Sequence, residues 1–113
     1  MNLELEQMTQ WLEQCRGQQL LIEKREQDDR DLIKLRLERV SLGHPALAHA
    51  DDYIAESELV LHGVGSIIFT HDHSRLPENQ YEIPLLGNWR GSVQEDGLQL
   101  VTDRAEYTIS KKG

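Results

Sequence analysis

The stretch IIFTHDHSRLPENQYEIPLLG, residues 67–87, carries two histidines one residue apart and a glutamate shortly after them. Alternate side chains of a β-strand leave the same face, so His71 and His73 converge on one side of an extended chain. Two imidazoles and the Glu78 carboxylate are donor types that hold a divalent transition metal. If the strand containing SIIF runs on, Ile67 and Phe69 share that face and the histidines point into the space the sheet encloses. The same residues also read as a polar strand end and loop joining two strands. Both readings stand at this point.

Gly65 is followed by SIIFT, His71-Asp72-His73, SRLP and Glu78. That order resembles the first motif of the cupins, a family of metal-binding β-barrels: Gly, five residues, His-x-His, three or four residues, Glu, six residues, Gly. The resemblance implies an enzyme or sensor with His71, His73 and Glu78 around a divalent metal, and it covers about a fifth of the chain. Leu85 stands at the motif's final glycine, with Gly87 nearby, and no histidine follows Glu78 to supply the second cupin motif.

Other chemistry is sparse. His44 and His49 flank PALA beside Asp51 and Asp52, a solvated acidic loop or a surface metal contact. His62 reads as a strand-end residue. There is no G-x-S-x-G elbow, and GVGSI lacks the spacing of a phosphate loop. Glu56/Glu58 and Glu78/Glu82 can be drawn as acid–base pairs, but a chain with 20 acidic residues produces such pairs by chance.

The elements that must position these groups follow from periodicity. Leu5, Met8, Trp11, Leu12 and Cys15 fall within an arc of about 120° on a helix over residues 2–16, with Asn2 as cap and Gly17 as a left-handed stop. Trp11 and Cys15 are expected in the core, the thiol inert. Ile33, Leu35 and Leu37 alternate with charged residues, as a half-buried strand requires. Val40 and Leu42 lie on the other parity, which calls for a bulge near Arg39. LLIEKRE pairs with this strand through a QDDR turn; a continuous helix through 19–41 is the competing assignment. Beyond the loop 43–52, the segments ESELVLH, VGSIIFT, QYEIPLL, NWRGSV, LQLVT and AEYTISK are separated by turn residues.

The 113 residues carry one cysteine and a net charge of −8. Five basic and eleven acidic side chains lie in residues 43–113. Binding to nucleic acid or to anionic membrane is therefore disfavoured. The first residues lack a basic start and apolar run, and no apolar stretch spans ~20 residues, so a cytoplasmic chain is expected.

The expected architecture is α+β, mainly β, in one domain over 1–113. An N-terminal helix (1–17) packs on a curved antiparallel meander of about seven to eight strands (19–111), forming a small barrel or half-barrel. The expected role is a non-catalytic interaction or small-ligand-binding module without a cofactor, with a protein partner or self-association. A barrel interior lined by Leu59, Leu61, Ile67, Phe69 and Tyr81 is the candidate ligand cavity. The alternative is the cupin-like metal protein.

Overall fold

The computed structural model describes residues 3–43, 57–68 and 73–111. One helix, α1 (Leu3–Gln14), precedes ten strands among these residues. They are β1 (Gln19–Glu26), β2 (Asp29–Arg36), β3 (Arg39–Gly43), β4 (Ser57–His62), β5 (Gly65–Ile68), β6 (His73–Arg75), β7 (Gln80–Leu85), β8 (Arg90–Val93), β9 (Gly97–Val101) and β10 (Glu106–Lys111). All pairings are antiparallel. They form a seven-stranded sheet, β6-β5-β2-β1-β10-β9-β8, and a three-stranded sheet, β3-β4-β7.

Residues 19–41 form strands and not a continuous helix. Ile22 faces Ile33 and Leu20 faces Leu35 across β1 and β2, so alternation on both strands delivers one apolar face. The turn is tight, with Gln27 in the left-handed region at φ 55.

Three adjacent runs cross from the large sheet into the small one at a common corner. β2 passes into β3 through Leu37 and Glu38, β4 into β5 through Gly63 and Val64, and β6 into β7 through Leu76 and a single 3-10 turn, Pro77–Asn79. Each bends by its own device. Leu35 faces Gly65 whereas Arg39 faces His62, so four steps on one run match three on the other. This one-residue excess is the expected bulge, and it switches the buried parity from Leu37 to Val40. On the second run the Arg36 carbonyl oxygen lies 1.9 Å from where a Gly63 Cβ would stand, so only glycine fits. On the third, Glu78 and Asn79 take φ 55 and 53.

The ten strands thus derive from seven runs, within the number expected. Their order is a meander whose first strand, β1, pairs with its last, β10. The barrel is nevertheless not closed: β7 and β8 do not pair. Pro84 in β7 lacks an N–H to donate. β8 has α1 packed against it, and the same helix reaches β3. Glu4 of the helix accepts hydrogen bonds from Arg90 Nε at 2.9 Å and the Gly91 N–H at 3.3 Å. A helix carboxylate therefore occupies a backbone donor of this edge strand.

The core fills the space between the sheets. Met8, Trp11, Leu12 and Cys15 of the helix segment meet Leu20, Ile22, Ile33 and Leu35, with Leu59, Leu61, Ile83 and Leu85 opposite. Gly17, at φ 83, ends the helical segment. Its N–H donates to the Leu37 carbonyl at 2.7 Å, tying the helix exit to the corner. No helix among the described residues is long and apolar enough to cross a membrane.

Candidate functional site

The alternation that builds the core also carries polar residues onto its face. Beyond Leu20 and Ile22 on β1, the next positions of the same parity are Lys24 and Glu26. Below Leu35 and Ile33 on β2 comes Asp31. Lys24 faces Asp31 across β1 and β2 and faces Tyr107 across β1 and β10, so the three form one row on the inner face. Lys24, Glu26 and Asp31 are partly exposed, so this end of the inner face reaches solvent.

From the opposite sheet, half-buried Tyr81 packs against the core. Burial raises its phenol pKa, and Tyr107 and then Asp31 raise it further. Tyr107 is raised by burial first and Glu26 second, with Arg104 opposing. Both phenols therefore keep their protons well above neutral pH, and each can donate one hydrogen bond and accept others. The cations at this rim are committed to one acid: Lys24 Nζ and Arg104 Nη2 each lie 3.4 Å from a Glu26 carboxylate oxygen. Asp31 has no ion pair among the described residues. The rim thus combines an unpaired carboxylate, two phenols and an apolar floor from Ile67 and the core. Such groups can hydrogen-bond one polar end of a small molecule and pack its apolar part.

Of the cavity residues expected from sequence, Leu59 and Leu61 are fully buried core, while Ile67 and Tyr81 are half-buried at its margin. Phe69 lies outside the described residues. Sequence reasoning missed Lys24, Asp31 and Tyr107. Their signal was parity: charged residues fall in step with Ile22 and Ile33 on strands whose other face was already polar.

A second polar cluster lies on the outer face of the small sheet. Registers place Arg39, His62 and Gln80 in one row, Ser41, Val60 and Glu82 in the next, and Gly43, Glu58 and Pro84 in the third. Ser41 Oγ and His62 Nε2 are 2.8 Å apart. Burial and then Arg39 lower the His62 pKa, with Glu38 opposing, so the ring favours its neutral form. Burial raises the Glu58 pKa, and Glu82 raises it further through like charge and a shared hydrogen bond. Gln80 Nε2 donates to Glu82 Oε1 at 2.7 Å. Among the described residues, none hydrogen-bonds the other ring nitrogen of His62, the position from which a third group orients a catalytic base.

Of the three proposed metal ligands, only Glu78 has a described side chain. His71 lies outside the described residues, and only the backbone of His73 is described, opposite Ile68. Glu78 is exposed on the 3-10 turn at the corner. His44 and His49 also lie outside the described residues. Among the described residues, no group of three His, Cys, Asp or Glu side chains can hold a metal ion. Cys15 is buried, and burial raises its pKa against the opposing effect of Lys111, which keeps the thiol protonated.

A family model described as YmzB-like protein matches residues 1–113. A relative from Bacillus subtilis (strain 168), described as "Uncharacterized protein YmzB", is 44% identical over 109 residues, spanning 91% of this chain and 91% of its own. No solved structure matches.

Proposed function

The chain belongs to the YmzB-like family, and on that premise we propose that it is a non-catalytic module that binds a small ligand at the rim of its inter-sheet space. One observation carries the reading: the inner face that builds the core turns polar at Lys24, Asp31 and Tyr107, with Tyr81 reaching toward them from the other sheet. Polar residues in core parity contradict local pattern, and such contradictions concentrate at functional sites. Binding at this rim requires no cofactor and no nucleophile. A protein partner or second copy is not needed to complete the rim, since both sheets of one chain supply it.

The test is a fragment screen by nuclear magnetic resonance on the isotopically labelled full chain. The reading expects saturable shifts clustered at Lys24, Asp31, Ile67, Tyr81 and Tyr107. Shifts clustered instead at Ser41, His62, Glu58 and Glu82 would move the site to the outer face of the small sheet.

A further inference from the structure

Resting on the rim as the binding site, we propose that its ligand is a protonated amine with an apolar body. The inference follows from how the rim's charges are divided. Lys24 and Arg104 both point to Glu26, at 3.4 Å each. Asp31 faces Lys24 in register, yet the lysine ammonium is held by Glu26. Among the described residues, one carboxylate at the end of this row is thus left without a cation, beside the Tyr81 phenol on which it acts.

An ammonium group placed at Asp31 completes that pairing with a charge-assisted hydrogen bond. The Tyr81 and Tyr107 hydroxyls, held in their O–H form, offer lone pairs to its remaining N–H donors. The aromatic face of half-buried Tyr81 attracts the cation and packs the adjoining carbon chain. An anionic ligand meets the opposite: Asp31 and Glu26 repel it, and both nearby cations are engaged. The net charge of −8 further concentrates cations at the surface.

Benzylamine, benzyl alcohol and benzoate share a ring and differ in the charge of the head group. Each is titrated into the labelled full chain, and shifts at Asp31, Ile67, Tyr81 and Tyr107 are followed. The proposal expects benzylamine to bind at these residues at least ten-fold more tightly than the other two. In Asp31→Asn its affinity falls about ten-fold, the scale of one charged hydrogen bond. The comparison of the three probes on the unaltered chain decides the matter even if the variant fails to fold. Equal or tighter binding of benzyl alcohol or benzoate at the rim overturns the amine inference and leaves the rim as the site. Absence of rim shifts with all three overturns both.

Discussion

The Met8 sulfur lies against Gly91 where a Cβ would stand, so the helix packs onto β8 closely enough that any larger residue there must displace the buried methionine side chain. This contact helps explain why the barrel stays open at β8: α1 occupies one side of the strand and Glu4 takes its Gly91 N–H. Gly91→Ala is expected to cost about 1–3 kcal/mol, the usual penalty for overpacking. Met8→Ala should cost stability alone, yet recover part of the Gly91→Ala loss when combined with it. A double-mutant cycle from urea melts measures that coupling; strictly additive losses would show that the two do not meet.

The helix is expected to be an integral cover for the sheets. Leu12 is fully buried among residues from both sheets. Leu12→Glu removes a core leucine and inserts a charge, with a loss of at least about 2–5 kcal/mol by comparison with leucine truncation. Circular dichroism melts should show a sharply lowered transition or insoluble protein. An unchanged melt accompanied by lost association would mark the helix as a detachable arm.

Glu78 is a corner residue in a conformation that costs a side-chain-bearing residue about 1–2 kcal/mol. Glu78→Gly should therefore raise stability by about 0.5–1 kcal/mol after the added entropy of glycine is counted. A loss of stability in Glu78→Gly, with added zinc or manganese raising the stability of the unaltered chain and not of the variant, would instead make Glu78 a metal ligand.

His62 and Glu58 should give opposite pH dependences. The folded chain holds the His62 proton less tightly than the unfolded chain. Stability from this group is complete above its unfolded value of about 6.5 and is lost as pH falls toward the folded value. Glu58 is raised, so its contribution is complete below its unfolded value of about 4.3 and is lost as pH rises through the folded value. Urea melts between pH 4 and 8 should show a shallower acid-side decline for His62→Gln and a shallower loss with rising pH for Glu58→Gln. Identical profiles for all three chains would mean that neither group's environment changes on folding.

Much of the fold was legible because its strands alternate cleanly. Ile33, Leu35 and Leu37 announced a half-buried strand, and the slip to Val40 announced the bulge. The corner was not legible, since it depends on the Arg36 carbonyl approaching Gly63 and on left-handed Glu78 and Asn79, contacts that short-range patterns do not encode. The open barrel was equally hidden, because Gly91 signals nothing until Met8 is placed against it. At the rim, Tyr81 and Ile67 were visible as inward-facing apolar positions. Asp31 and Lys24 were placed in the strands DLIKLRLERV and LLIEKRE but not singled out, because charge in a strand is ordinarily charge on the outer face.

The most direct test of the rim as a functional feature is the melting temperature of the Lys24→Leu/Asp31→Leu double variant. If the polar row serves a ligand and not the fold, leucines in core parity should keep the melting temperature or raise it, because Lys24 pairs with Glu26 and not with Asp31 and each leucine adds apolar surface to the core. The variant should also lose the benzylamine-induced shifts at Tyr81 and Tyr107. A marked fall in melting temperature would contradict the account, because it would make Lys24 and Asp31 structural members of the sheet.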